Sequence, residues 1–192
     1  MGNVQITPVE GFADLYVIAP AVYGDARGSF SEIFNARDLQ AAGLDFDFVQ
    51  GNQIRSVYGA LRGMHFQRTS PQGKLIRVVS GRVYDVVVDL RRGQPSFGKW
   101  FGMELNETSG AQLLIPRGFA HGCLTLSETS VCVYLCDAFY APGDEGGFPW
   151  NDPSVGIRWP GVSPEGFMAD GVPLRLSPKD RAWPPLRFSF DP

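Results

Sequence analysis

Short apolar or alternating runs, separated by glycine and proline, recur along most of the chain. Runs with this pattern predict β-strands, and many short strands with turn signals between them are typical of a sandwich or barrel rather than of alternating helices and strands. The predicted strands are Gly28–Phe34, Phe48–Gln50, Leu61–Gln67, Lys74–Val79, Arg82–Leu90, Trp100–Leu105, Gln112–Ile115, Phe119–Leu126 and Val131–Cys136. The pattern therefore predicts an all-β fold.

Helical patterns are short and lie outside the strand-rich region. One predicted helix covers Ala36–Ala42 and ends at Gly43, and a second covers Pro178–Ala182 with Ser177 as its N-cap. From Pro142 onward the chain is rich in proline and glycine. We expect a single domain over residues 1–192, with 142–192 forming an irregular segment that packs on the barrel.

Two neighbouring strands, Phe119–Leu126 and Val131–Cys136, flank a polar turn at Ser127–Ser130. A hairpin with Leu126 opposite Val131 places one polar set on a single face, because side chains alternate along a strand. That set is His121, Cys123, Cys132, Tyr134 and Cys136. The other face is aliphatic, so the hairpin predicts a ligand-facing side and a core side.

Composition excludes several classes of function. The chain has 192 residues, 44% of them hydrophobic, and a formal net charge of −3 with no basic stripe, which argues against a nucleic-acid partner. The N-terminus lacks a signal-peptide pattern, and no apolar run approaches the roughly 20 residues that span a membrane. The three cysteines are clustered and odd in number, which does not suggest a disulfide framework. We expect a cytoplasmic protein with reduced thiols and no membrane contact.

The sequence lacks the residues that a metal site or a nucleophilic mechanism needs. The segment "IPRGFAHG" is similar to a metal-binding cupin motif, but His65 and His121 are the only histidines and no His-x-His is present. A divalent ion requires three or four ligands, so we expect no metal. No G-x-S-x-G, P-loop or G-x-G-x-x-G is present, and the cysteines lie among apolar residues.

Acid–base chemistry remains. A single histidine in a strand is more often structural than catalytic, but His65, Lys74, His121 and Tyr134 all fall on predicted strands, where burial can tune their pKa values. Arg62 should face away from His65 on a straight strand. Either Gly63 marks a bulge or Arg62 serves a neighbouring site.

Eight segments together resemble the dTDP-4-dehydrorhamnose 3,5-epimerase family, the RmlC-like cupins. They are RGSFSEIFN (27–35), FVQGN (48–52), LRGMHFQ (61–67), KLIRVVSGRVYDVVVDLRRGQPSFGKW (74–100), IPRGFAHG (115–122), YLCDAFYAPGDE (134–145), WNDPSVGIRWP (150–160) and LSPKD (176–180). The resemblance implies a cupin-type double-stranded β-helix, or jelly roll, with a few short peripheral helices. It also implies a homodimer with exchanged strands, and no metal or other cofactor.

The same resemblance implies catalytic roles. The family's substrates are nucleotide-linked 4-keto-6-deoxyhexoses, whose C3 and C5 protons are acidic because their removal gives an enolate on the 4-keto oxygen. His65 would be the base, oriented by Asp180, and Tyr134 the acid on the opposite face of the sugar. Lys74 would stabilise the enolate oxygen.

The resemblance also implies a set of substrate-binding residues. The family pattern maps onto Arg27, Glu32, Gln50, Asn52, Arg62, Lys74, His121, Glu145 and Lys179. Arginine suits a diphosphate because its planar fork meets two oxygens at once. Phe30 and Tyr140 are candidates for stacking on the base or sugar, although aromatic residues in a β fold are more often core.

One motif departs from the family. Gly51, Gln53 and Ile54 replace the usual Asp, His and Ser. This difference leaves open whether C3, C5 or both are inverted, and which nucleotide sugar is accepted. The alternatives to a 3,5-epimerase are a monofunctional 3- or 5-epimerase of an antibiotic-sugar pathway, a non-catalytic sugar-binding cupin, and a metal-dependent cupin oxygenase.

Overall fold

A computed structural model describes residues 4–187, and its architecture is two facing antiparallel sheets with a jelly-roll arrangement. The strands are β1 (Val4–Pro8), β2 (Tyr16–Pro20), β3 (Val22–Asp25), β4 (Gly28–Ser31), β5 (Gln50–Val57), β6 (Leu61–Gln67), β7 (Lys74–Ser80), β8 (Arg82–Asp89), β9 (Trp100–Asn106), β10 (Gln112–Ile115), β11 (Phe119–Thr125), β12 (Thr129–Cys136) and β13 (Glu145–Gly147). One sheet has the order β1-β2-β10-β7-β12-β5, and the other has the order β13-β6-β11-β8-β9.

The main hydrophobic core lies between the two sheets. Ile76, Val78, Leu113 and Ile115 of the six-stranded sheet pack against residues such as Val87 and Leu105 of the five-stranded sheet. The core occupies the β9 side of the sandwich. Towards β5 and β6 the space between the sheets is lined by polar residues instead, and this is where the candidate site lies.

The five-stranded sheet is covered on both faces, which explains the continuous apolar run in β8. Val86 and Val88 face outward, where Phe148, Trp159 and other residues of the segment after β13 cover them. A strand that is buried on both sides has no need to alternate between apolar and polar residues. Residues 148–177 run irregularly over this face, with only isolated bridges, before helix α2 (Pro178–Ala182) begins.

The six-stranded sheet is only partly covered on its outer face. Leu39 of helix α1 (Ala36–Ala41) packs there against Leu75 and Leu114. Beside it a groove of about 350 Å³ remains open, lined by apolar residues such as Phe34, Val133 and Leu135. Strands β3 and β4 form a separate two-stranded ribbon in which Val22, Tyr23 and Phe30 are exposed.

The predicted hairpin between β11 and β12 is wrong. The strand β11 pairs with β6 and β8, whereas β12 pairs with β5 and β7, so the two strands belong to different sheets. The connection between them crosses from one sheet to the other. His121 and Cys123 nevertheless share a cavity with Cys132 and Tyr134, because they face each other across the sandwich.

Other predicted elements are confirmed with shifted ends. The predicted strand Gly28–Phe34 ends at Ser31, and Phe48–Gln50 is replaced by a longer strand that begins at Gln50. Strands β1, β2, β3 and β13 were not predicted from the sequence. Both short helices are present, with Gly43 at a φ of 76° after α1 and Ser177 capping α2. No helix within residues 4–187 has the length and apolar character needed to cross a membrane.

Candidate active site

Two adjoining cavities of about 360 and 580 Å³ form a cleft between the sheets. His65, Lys74, Tyr134 and Lys179 line both cavities. Gln50, Asn52, Tyr140 and Glu145 line the smaller cavity, and Arg62, His121 and Asp180 line the larger. The structure therefore brings most of the predicted site residues together in one cleft.

His65 is held by a buried carboxylate on one wall of the cleft. Its Nε2 hydrogen-bonds to Asp180 Oδ1, so Nδ1 is the ring nitrogen that remains for a ligand. Ser177 Oγ donates to Asp180 Oδ2 at 2.8 Å and also accepts from the Asp180 amide at 3.0 Å. The N-cap of α2 thus fixes the carboxylate that orients His65.

Burial alone raises the pKa of Asp180, but the hydrogen bonds from His65 and Ser177 outweigh it and leave the pKa below the usual value. The carboxylate is therefore ionised at neutral pH. An ionised carboxylate on Nε2 keeps a proton on that nitrogen and so fixes the tautomer of the ring.

Tyr134 and Lys74 approach from the opposite wall. They lie on the adjacent strands β12 and β7, where Tyr134 is opposite Ile76 and Lys74 is opposite Cys136. Burial raises the pKa of the Tyr134 phenol, with smaller contributions from Cys136 and Cys123. Burial lowers the pKa of Lys74, although nearby acidic groups, including Asp85 and Glu145, oppose the change.

A second histidine–carboxylate pair lies beside the first. His121 on β11 is directly opposite His65 on β6, and its Nε2 lies 2.9 Å from Asp85 Oδ2 and 3.0 Å from Asp85 Oδ1. Asp85 is not among the site residues predicted from the sequence. A carboxylate in the middle of the apolar run of β8 was the signal that could have found it.

Arg62 enters the cleft because β6 carries a bulge. The register with β11 shifts between His121 and Cys123, so that one extra residue of β6 is accommodated next to Gly63. Gly63 has a φ of 127°, and a Cβ there would lie 2.6 Å from Gly122 Cα. The sequence left two explanations for Arg62 open, and the first of them, a bulge at Gly63, is confirmed. Its Nε donates to Ser56 Oγ at 3.0 Å.

Side-chain amides hold the rim of the smaller cavity. Gln50 Oε1 accepts from the Tyr140 amide at 2.9 Å, and Gln50 Nε2 donates to Asn52 Oδ1 at 3.0 Å. Lys179 Nζ donates to both oxygens of Glu145, at 2.8 and 2.9 Å. Tyr140 remains about half exposed and lines this cavity.

Three predicted binding residues do not lie in this cleft. Arg27 lies in the turn of the β3–β4 ribbon, where its side chain is 90% exposed and pairs with Asp25 at 2.6 Å. Phe30 on β4 is 70% exposed. Glu32 accepts from Asn35 Nδ2 at 3.0 Å and lines a small pocket on the outer face of the six-stranded sheet.

Metal-ligating residues do not cluster in the described part of the chain. Between residues 4 and 187, no group of three His, Cys, Asp or Glu side chains is arranged to hold an ion. The three cysteines are free and buried. Burial raises the pKa of Cys132 to about 12, so this thiol is a poor nucleophile.

Comparisons with known proteins agree on one family. The family model for dTDP-4-dehydrorhamnose 3,5-epimerase matches residues 10–187. A protein of that name from Methanothermobacter thermautotrophicus is 47% identical over 171 residues, which cover 89% of each chain. The crystal structure of dTDP-6-deoxy-D-glucose-3,5-epimerase from Legionella pneumophila, in complex with dTDP-4-keto-L-rhamnose, superposes with a TM-score of 0.86 at 40% identity, covering 94% of this chain and 91% of that one.

A more distant structure is a 3'-monoepimerase from Streptomyces bikiniensis in complex with dTDP-quinovose. It has a TM-score of 0.82 at 32% identity, covering 93% of this chain and 86% of that one. These matches extend over nearly the whole chain and include the segments that carry the cleft. The chain belongs to the dTDP-4-dehydrorhamnose 3,5-epimerase family, a family of isomerases.

Proposed function

We propose that the protein epimerises a dTDP-linked 4-keto-6-deoxyhexose at C3 and C5 by proton transfer through an enolate. The observation that carries the proposal is the placement of His65 and Tyr134 on opposite walls of one cleft. Inversion of a carbon requires removal of a proton from one face of the ring and its return to the other. A base and an acid on facing sheets meet that requirement.

His65 is the base. Its Nε2 is engaged with Asp180, so Nδ1 takes the proton from C3 or C5 while the C–H electron pair moves to form the enolate on O4. Asp180 stabilises the imidazolium that results. The His65 side chain is 26% exposed, which allows the captured proton to exchange with water after each inversion.

Tyr134 is the acid, and Lys74 stabilises the enolate oxygen. The raised pKa of Tyr134, caused mainly by burial, keeps its phenol protonated at neutral pH and ready to donate to the face opposite His65. The Lys74 cation lies on the same wall, within a cavity where electrostatic interactions are less screened than in water. The phenolate left after donation takes a proton from water before the next inversion, which balances the proton that His65 releases.

The rim residues bind the nucleotide part of the substrate. Tyr140 offers a half-exposed ring for stacking, and Gln50, Asn52, Glu145 and Lys179 offer hydrogen-bonding groups around it. Arg62 and His121 contact the substrate in the larger cavity. The higher identity to the 3,5-epimerase relatives than to the 3'-monoepimerase supports inversion at both carbons.

The test is incubation with dTDP-4-keto-6-deoxyglucose in D2O, followed by NMR of the sugar. We expect deuterium at both C3 and C5 and formation of the doubly inverted product. Deuterium at only one carbon would support the monofunctional alternative. Binding of the substrate without any exchange would support the non-catalytic sugar-binding alternative.

The same proposal includes a homodimer in which the β3–β4 ribbon completes the partner's cleft. Arg27 and Phe30 are displayed on an exposed ribbon, away from the cleft of their own chain. Beside it, the open apolar groove over Phe34, Val133 and Leu135 offers a surface for a second copy. A second chain seated on this face would bring the ribbon of one subunit to the other.

Subunit mixing tests this arrangement. Arg27→Ala and His65→Ala homodimers are each expected to have little activity. After mixing in equal amounts and exchange of subunits, mixed dimers hold one site with both residues intact, so we expect about one quarter of the wild-type activity to return. No recovery after proven exchange would show that Arg27 serves its own chain. A monomer in sedimentation analysis would contradict the dimer itself.

A further inference from the structure

Asp85 is a buried carboxylate that the proposed mechanism does not use. It lies in the middle of β8, where it is only 1% exposed, and both of its oxygens lie within 3.0 Å of His121 Nε2. Among the described residues, His121 is the hydrogen-bond partner of this carboxylate. Its other close neighbours in the larger cavity include Lys74, Cys123 and Cys132.

This contact determines which nitrogen of His121 carries a proton. A carboxylate only accepts hydrogen bonds, and a buried carboxylate without a donor is strongly unfavourable. The donor at this position is the Nε2–H of His121. The other ring nitrogen, Nδ1, is then without a proton in the neutral ring and becomes a hydrogen-bond acceptor.

His121 and His65 share this arrangement on neighbouring strands. The two residues lie opposite each other in the β11–β6 pair, line the same cavity, and each bind a carboxylate through Nε2. Each ring therefore has its Nδ1 left for a ligand. A histidine Nδ1 is thus available at two adjacent positions on one wall of the cleft.

We propose that Asp85 is a positioning residue that holds His121 as the Nε2–H tautomer, so that Nδ1 accepts a hydrogen bond from a hydroxyl of the bound hexose. This inference rests on the proposed function, because it takes the ligand of the larger cavity to be the sugar. His65 Nδ1 acts on a C–H group, and His121 Nδ1 fixes the ring by one of its O–H groups. Asp85 acts only through His121.

Histidine NMR tests the tautomer directly, because the chain contains only two histidines. In a 15N-histidine-labelled His65→Gln variant, the histidine signals come from His121. We expect the nitrogen shifts of an Nε2–H ring, with Nδ1 unprotonated, at a pH where the ring is neutral. An Nδ1–H ring, or an even mixture of the two tautomers, would overturn the proposal.

Asp85→Asn tests the consequence for substrate binding. An amide that donates to Nε2 stabilises the opposite tautomer, which turns Nδ1 from an acceptor into a donor. We expect the Nδ1–H form to appear in the NMR spectrum and KM to rise about tenfold, the effect of leaving one hydroxyl poorly paired. Asp85→Leu, which removes the acceptor for His121 Nε2–H altogether, should also raise KM. An unchanged KM in a variant with the altered tautomer would contradict the role of His121.

Asp89→Asn is the matched control. Asp89 is a second buried carboxylate on β8, but it binds Arg91 and Ser96 and does not line the cleft. This variant should lose stability while KM and the His121 spectrum stay unchanged.

Deuterium exchange at saturating substrate separates the two proposals. Exchange should persist in Asp85→Asn because His65 is intact, whereas absence of exchange in the wild-type protein would contradict the proposed function and leave the tautomer result valid.

Discussion

His65 on β6 and Tyr134 on β12 belong to different sheets and enter one cleft from facing walls. The jelly-roll arrangement makes this possible, because a cavity lies between its two sheets near β5 and β6 while an apolar core fills the space on the other side. In the proposed mechanism, a proton leaves the bound sugar towards one sheet and returns from the other.

Replacing the carboxylate behind the base should slow catalysis more than binding. In Asp180→Asn we expect kcat to fall by about 10² to 10⁴, because the imidazolium loses its stabilising charge and the ring loses its fixed tautomer. KM should change little. Steady-state kinetics measure both constants, and Asp170→Asn, at an exposed position outside the cleft, is the control. A rise in KM with unchanged kcat would place Asp180 in binding instead.

The decline in activity at alkaline pH should reflect deprotonation of Lys74. Burial lowers the pKa of Lys74 and raises that of Tyr134, and both shifts favour loss of the lysine proton before the phenol proton as pH rises. In the proposed mechanism the Lys74 cation stabilises the enolate, so kcat/KM should fall with rising pH at values below the ordinary lysine pKa of about 10.4. Lys74→Arg should move this decline to higher pH.

Lys74→Met separates the charge from the other roles of this residue. It should reduce kcat by about 10² to 10³, with no further decline over the range where the wild-type lysine titrates. Lys99→Met, at an exposed position, should behave as wild type. If Lys74→Arg leaves the alkaline limb of the pH profile in place, another group causes it.

Packing behind His65 depends on a glycine. The Trp183 ring stands edge-on to the His65 ring, with centroids 6.1 Å apart, and a Cβ on Gly147 would lie 2.4 Å from the indole. Trp183 immediately follows α2, the helix that carries Asp180. Gly147→Ala should therefore displace the indole and disturb the contact between Asp180 and His65, lowering kcat about tenfold or more.

Gly143→Ala is the matched control for this substitution. A Cβ at Gly143, four residues away, meets no atom within 4 Å. This variant should keep wild-type kcat and thermal stability. Equal effects of the two alanine substitutions would mean that displacement of the indole is not the cause.

The sequence predicted the composition of the cleft better than the pairing of its strands. Alternation correctly put His121 and Cys123 on one side of β11, and Cys132 and Tyr134 on one side of β12. It could not show that the Ser127–Ser130 connection crosses between sheets, because a hairpin and a crossing connection leave the same local pattern. The prediction of a shared polar face was correct, whereas the predicted pairing of β11 with β12 was wrong.

Edge elements were harder to predict than central ones. The strand β5 lies at the edge of its sheet and alternates exposed residues with half-buried ones, of which Gln50 and Asn52 are polar, so only its start at Gln50 was identified. The strand β13 has three residues, two of them glycine, and forms only because β6 offers a free edge. The pairing of Asp85 with His121 depends on neighbouring strands and is not encoded in the spacing along the chain.

Solvent exchange in the Tyr134→Phe variant tests the central claim most directly. Incubated with dTDP-4-keto-6-deoxyglucose in D2O, this variant should still exchange the C3 and C5 protons through His65 but should form little inverted sugar. His65→Ala, with no base, should show neither exchange nor inversion. NMR of the sugar measures both. Inverted product at the wild-type rate from Tyr134→Phe, or exchange at the wild-type rate in His65→Ala, would contradict a base and an acid on facing walls.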